Sequence, residues 1–272
     1  MTDQTFDTDA TIVFVHGLWL TPRSWEHWVD RYATRGEKAI APAWPGMDVE
    51  VEALRDDPSV MNGLGVVEVA DHYDKIIRTL DAPPIIIGHS FGGAITQILL
   101  DRGLGSAGIA ISPAPVKGVL RLPISALKAS FPVLKNPGNK SKTVALTPQQ
   151  FHYAFTNTLD DEESQAAYDR YQVPGPGRPL FQAAFANLNP NAATKVNFKN
   201  NDRAPLLIVA ATQDHTVPAS LSREAYTKHH KHSTAVTEYK EYAGRSHFTV
   251  GAPGWEQVAD ELLDWATKNK RS

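Results

Sequence analysis

Three consecutive isoleucines, Ile85-Ile86-Ile87, run straight into Gly88-His89-Ser90-Phe91-Gly92-Gly93, and helix-spaced Ile95 and Leu99 follow. A short β-branched run bounded by turn residues reads as a buried strand. The G-x-S-x-G pattern then calls for a sharp turn between that strand and a helix, with the serine lifted at its apex. Side chains two residues to either side would collide with the turn, so both places want glycine. A plain turn with a capping serine is the bland alternative. The strand before and the helix after speak against it.

The rest of the chain repeats this rhythm. Thr11 to Val15 is a buried strand ending at His16-Gly17. Leu18-Trp19-Leu20 is a loop, and Thr21-Pro22 caps a helix carrying Trp25, Trp28, Val29 and Tyr32 to a stop at Gly36. Lys38 to Pro42 is a second strand. Residues 66–80 form an amphipathic helix with Val69, Tyr73, Ile76, Ile77 and Leu80 on one face. Further strands are predicted at Ala107 to Ile111, Leu206 to Ala210 and Ala235 to Tyr239, with helices over 219–230 and 255–268. Strands alternating with helices predict an α/β fold: a mostly parallel central sheet with helices on both faces.

Residues 114–203 break the pattern. Prolines at 113, 115, 123, 132 and 137 crowd their start, no clear strand is evident, and helical pieces fall near 148–158, 161–171 and 180–187. Val173 to Pro179 reads as a loop. Some ninety residues is too long for a simple crossover. The expected organisation is a core of 1–113 and 204–272, with 114–203 as a helical cap over the sheet's C-terminal edge.

A serine hydroxyl is a weak nucleophile near neutral pH and needs an adjacent base. Of ten histidines, His247 is the best placed, in Gly244-Arg245-Ser246-His247-Phe248 just after the last predicted strand. His229, His230 and His232 sit among lysines at a helix end and read as solvated surface. They offer no metal-ligand spacing. The base needs a carboxylate to fix its tautomer. Asp214 lies in the turn after the fifth strand, whereas Ile111-Ser112-Pro113-Ala114 after the fourth holds no carboxylate. A bare Asx turn is the alternative reading of Asp214. Donors for a developing oxyanion are expected from the N–H groups of Phe91 and Leu18, with Trp19 second in line. His16 is expected to pack beneath that loop. Trp19, His89, Val217 and Phe248 are the expected pocket residues. Of the cap aromatics Phe151, Tyr153, Phe155, Phe181 and Phe185, some should reach the space over Ser90.

The net charge of −3 gives no sign of a nucleic-acid or membrane partner. Cysteine is absent, which removes disulfides, thiolate chemistry and Cys-based metal sites, and fits a cytoplasmic protein. The acidic N-terminal residues carry no leader pattern. No apolar run is long enough to span a membrane.

Val15-His16-Gly17, Gly88 to Gly93, Asp214 with Val217-Pro218, and Gly244-Arg245-Ser246-His247 together resemble the α/β-hydrolase superfamily. The order of serine, aspartate and histidine matches, and the separations of 124 and 33 residues leave room for a cap and for one helix and strand. The serine sets the chain apart from subfamilies with an aspartate nucleophile. The resemblance implies cofactor-free, metal-free acyl transfer on a small-molecule ester, in the manner of an esterase or lipase. Lyases, carbon–carbon bond hydrolases, perhydrolase or haloperoxidase-like activity and slow-turnover receptors are built on the same machinery, since fold does not fix function.

Overall fold

The computed structural model describes residues 10–271, so the acidic N-terminal stretch read above for a leader lies, but for residue 10, outside the described residues. In chain order the elements begin with β1 (Ile12–Val15), α1 (Glu26–Thr34), β2 (Ala39–Ile40), α2 (Val51–Asp56) and α3 (Val66–Ile77). They continue through β3 (Ile85–His89), α4 (Phe91–Asp101) and β4 (Ala107–Ile111). Then come α5 (Ile124–Leu134), β5 (Thr143–Val144), α6 (Pro148–Ala154), α7 (Asp161–Tyr171), β6 (Gly175–Pro176) and α8 (Arg178–Ala184). The chain closes with β7 (Leu206–Ala211), α9 (Ala219–His232), β8 (Thr237–Tyr242) and α10 (Trp255–Asn269).

Six strands form one sheet in the order β2-β1-β3-β4-β7-β8, and every pairing in it is parallel. Strands β1, β3, β4 and β7 are buried along their whole length, as expected of strands covered on both faces. Successive residues point to opposite faces. Phe14, Ile85, Ile87, Ile109 and Val209 therefore join Trp25, Trp28 and Tyr32 and the α10 stripe Val258, Ala259, Leu262, Leu263 and Ala266 in one core. Val13, Val15, Ile86, Ala110 and Ile208 join α3 and α4 in the other. Two polar atoms are drawn into the first core with partners: Trp28 Nε1–H donates to Val250 O at 2.7 Å, and the Tyr32 hydroxyl donates to Ala259 O at 2.8 Å.

The insertion departs from the sequence expectation in two ways. It contains a two-stranded antiparallel ladder, β5 with β6, where no strand was evident and where Val173 to Pro179 read as a loop. Two residues per strand is below what periodicity can register. It also contains α5, hidden by Pro123 before it and Pro132 in its last turn. Backbone bonds tie the insertion to the loops beyond the core strands: Val173 N–H to Trp19 O at 3.0 Å, and Phe248 N–H to Phe155 O at 2.9 Å. The last strand starts two residues and ends three residues later than predicted, over Thr237–Tyr242. Among the described residues no helix is long and apolar enough to cross a membrane.

Candidate active site

The loops after β1, β3, β7 and β8 meet at the C-terminal edge of the sheet, beside the point where strand order reverses about β1. Crevices form there in open α/β sheets. Ser90 follows β3 directly and holds φ 57, ψ −120. Trp19 and Ser112, after β1 and β4, are the other non-glycine residues with positive φ among those described. Such strain is tolerated where the surrounding structure fixes it. The turn is held from both sides. Ser90 N–H donates to Ile111 O at 2.9 Å, and Ser90 O accepts from Gly93 and Ala114 N–H at 2.9 Å each. A methyl group at Gly88 would lie 2.1 Å from Gly92 O, and one at Gly92 would lie 2.0 Å from Val15 O. Both glycines are therefore required by backbone approach.

Asp214 and His247 are brought together by the way their loops are stitched. Gln213 N–H donates to Arg245 O at 2.9 Å, and Gly244 N–H donates to Thr212 Oγ1 at 2.9 Å. Asp214 Oδ1 accepts from Thr216 N–H at 2.8 Å and Val217 N–H at 2.7 Å. Its Oδ2 lies 2.7 Å from His247 Nδ1. The Asx turn and the histidine partnership are thus served by the two oxygens of one carboxylate. The pair is fully buried at its side chains. With Nδ1–H donating to the carboxylate, His247 Nε2 carries a lone pair. That atom is buried and has no partner, and Ser90 Oγ makes no hydrogen bond among the described residues. Hydrogen bonds between such groups are often loose before a ligand binds.

The imidazole of His247 is clamped. Phe155 meets it edge-on at 4.9 Å, and the His89 ring packs 4.6 Å from it. His89 Nε2–H donates to His247 O at 2.8 Å, which links the residue before Ser90 to the main chain of His247. His215, next to Asp214 in the chain, places its Nδ1 3.0 Å from Tyr153 O.

A cavity of about 100 Å³ opens on Ser90. Trp19 and Val217 line it as expected. His89 and Phe248 do not. His89 turns back toward His247, and Phe248 packs against Tyr171 and Phe151. Phe151, Tyr153, Phe155, Phe181 and Phe185 do not line it either. Phe151 and Phe155 stack on each other and are consumed in the core. The wall is aliphatic and comes largely from α5, with Ala126, Leu127, Ala129 and Leu134 facing Leu180 and Leu221. Among the described residues, neither Leu18 N–H nor Phe91 N–H has a hydrogen-bond partner. Gly17 brings the first loop against the serine, since a methyl group there would lie 2.9 Å from Ser90 Cβ.

His16 packs beneath this loop as expected. It stacks on Trp44 at 4.9 Å, and its Nε2 accepts from Trp44 N–H at 3.2 Å. His229 departs from the surface reading: it is buried against Phe198 and bonded to Gln97 Oε1 at 3.1 Å. Burial holds both imidazoles neutral, pushing His16 down to about 4 and His229 to about 3, and it drives His89 well below its ordinary value. The unfolded chain takes up these protons near 6.5, so stability is whole above that pH and falls as pH drops from 6.5 toward 4. His16 alone accounts for about 2 kcal/mol of loss by pH 5. The urea midpoint is expected to fall between pH 7.5 and 5 at constant slope. A midpoint that holds steady contradicts the neutral burial of these rings.

Solved structures with the same fold include a monoacylglycerol lipase of Paleococcus ferrophilus. It is 20% identical, with 96% of this chain and 95% of that chain covered and a TM-score of 0.65. An extracellular alpha/beta-hydrolase from a Paenibacillus species, described as sharing homology with tobacco salicylic acid binding protein 2, is 19% identical over 97% and 100% of the two chains, with a TM-score of 0.68. A methylesterase from Arabidopsis is 13% identical over 95% and 99%, with a TM-score of 0.64. These likenesses bear on fold. A search of curated protein sequences finds no match. The model of the Alpha/beta hydrolase family matches residues 12–261, nearly the whole chain. With the parallel sheet and the strained serine turn, that match means the chain belongs to the alpha/beta hydrolase family.

Proposed function

We propose that this chain hydrolyses small to medium apolar carboxylic esters through an acyl-enzyme on Ser90. The observation that carries this reading is the buried His247–Asp214 pair at 2.7 Å, with a free Nε2, at the sheet edge where Ser90 opens on an aliphatic cavity. His247 takes the Ser90 proton as Oγ attacks the ester carbonyl. The developing oxyanion rests on the N–H groups of Leu18 and Phe91, each worth roughly 10²-fold or more in rate. His247 then returns the proton to the leaving alcohol, and water activated by the same ring releases the acid. Asp214 stabilises the imidazolium and fixes its tautomer. Residues 114–203 act as a cap: they close the space over Ser90 and exclude water from the acyl-enzyme. Esterases and lipases among the structures of the same fold are in keeping with this chemistry.

The test is a series of p-nitrophenyl esters from acetate to palmitate. Each methylene that enters the cavity raises kcat/KM by up to about fourfold. The small volume ends that rise at medium length, and palmitate falls below the best member. A series with no length dependence contradicts apolar recognition. Absence of Ser90-dependent turnover on every member contradicts the esterase reading.

A further inference from the structure

Helix α5 carries large apolar side chains on its solvent side as well as on its inner side. Its large side chains Ile124, Leu127 and Phe131 recur at i, i+3 and i+7, the spacing of a buried face. Yet Ile124 is 84% exposed and Phe131 62%, and Leu127, half exposed, borders the mouth of the Ser90 cavity beside Ala126, Ala129 and Ser130. Leu120 and Leu122, just before the helix, are 63% and 73% exposed, and Leu122 stands at the rim of the Ser90 cavity. Phe185 and Leu188, at the end of α8 and just beyond it, add to the same insertion, and α8 packs against α5. Every exposed large leucine, isoleucine or phenylalanine among the described residues therefore lies in this insertion. The four others outside it are isolated valines. Contiguous patches of this kind mark contact surfaces.

Charge names the partner. Between Asp101 and Asp160 the chain holds no carboxylate side chain, and residues 117–142 carry six lysines and arginines. That stretch is +6, so the remainder of a chain of net charge −3 carries −9. Among the described residues Arg121, Lys128, Lys135, Lys140 and Lys142 form no ion pair. Lys128 follows Leu127 on the outward stripe and lies over the Tyr153 ring at 3.9 Å, and Lys135 follows at the end of the helix. Large apolar residues interleaved with unpaired cations match an anionic lipid surface, into which the apolar groups insert while the cations meet headgroups. A face awaiting a second copy of this acidic chain would not need its only strongly basic segment there.

We propose that the outward face of α5, with Leu120 and Leu122, docks the protein on anionic lipid surfaces. The net charge of the whole chain hides this, because six of its 27 lysines and arginines are gathered in one segment free of carboxylates. The inner side of the same helix walls the Ser90 cavity, so an ester dissolved in the lipid reaches the cavity mouth without crossing bulk water. Docking goes beyond the esterase reading and does not need Ser90.

The experiment is co-sedimentation of the full chain with phosphatidylcholine vesicles and with vesicles containing about a third phosphatidylglycerol. Binding is expected to the second kind and to weaken as salt is raised. Ile124→Asp with Phe131→Asp weakens it at least about tenfold while p-nitrophenyl acetate hydrolysis and melting temperature hold. Lys128→Gln with Lys135→Gln reduces the preference for phosphatidylglycerol. Ser90→Ala binds vesicles as the parent does, so loss of esterase activity and loss of docking read out separately. Absence of vesicle binding, equal binding by the aspartate variant, or a lipid-independent dimer that this variant dissolves would each overturn the proposal.

Discussion

Replacing Ser90 with alanine is expected to lower kcat for p-nitrophenyl butyrate by roughly 10⁵-fold or more, with little change in KM. In the proposed reaction the hydroxyl oxygen receives the substrate's acyl group, and no other serine or threonine sits at the strained turn beyond β3. Residual rate is expected from the proposed oxyanion donors and from binding alone, neither of which needs Oγ. The fold loses nothing in the exchange. Ser90 Oγ makes no hydrogen bond among the described residues, and the backbone bonds of the turn, from Ser90 N–H to Ile111 O and from Gly93 and Ala114 N–H to Ser90 O, survive with alanine. The melting temperature should therefore shift by no more than about 2 °C. A stable variant that hydrolyses esters at the parent rate contradicts the assignment. A variant that fails to fold contradicts the account of the turn.

Asp214→Asn is expected to cost about 10⁴-fold in kcat. The direction follows from how the two carboxylate oxygens are used. Oδ1 accepts two backbone N–H bonds, from Thr216 and Val217, and only an oxygen can take that place. The amide nitrogen is thereby forced to the Oδ2 position, 2.7 Å from His247 Nδ1. Two donors cannot face each other, so the imidazole adopts the tautomer with its proton on Nε2. In that form it cannot accept the Ser90 proton. The turn itself is preserved, so loss of rate with unchanged stability is the expected signature. Asp214→Ala removes the Asx turn as well, and it should lose stability along with rate. Equal activity in the asparagine variant, measured alongside its melting curve, contradicts the role given to the pair.

Much of this site is written locally in the sequence. Strand β3, the glycine-flanked serine and α4 are contiguous, and each is forced by short-range sterics: Gly88 and Gly92 admit no side chain. Asp214 and His247 are legible because each follows an apolar strand, and parallel strands deliver their C-terminal loops to one edge. The cavity is less legible. Much of its wall is α5, whose Ile124 and Phe131 are exposed while Ala126, Leu127, Ala129 and Leu134 line the cavity, so the apolar stripe of this helix does not by itself mark the face toward the site. Pro132 in its last turn further masks it. His89 and Phe248 flank Ser90 and His247 in sequence, yet neither side chain lines the cavity. His89 donates to His247 O, and Phe248 fills space beside Tyr171. Adjacency along a turn does not fix direction. His229 shows the same gap at longer range: a lysine-rich helix end suggests solvent, but Phe198 and Gln97 arrive from distant segments to cover the ring.

The most direct measurement is the intact mass of the protein after treatment with a fluorophosphonate, followed by sequencing of the modified peptide. Only a serine made nucleophilic by an adjacent base displaces fluoride from phosphorus at a useful rate. One phosphonyl group is expected per chain, on the peptide containing Gly88-His89-Ser90, and none on the Ser90→Ala or His247→Ala proteins. A folded protein that gains no mass, or that carries the group on another residue, contradicts the account.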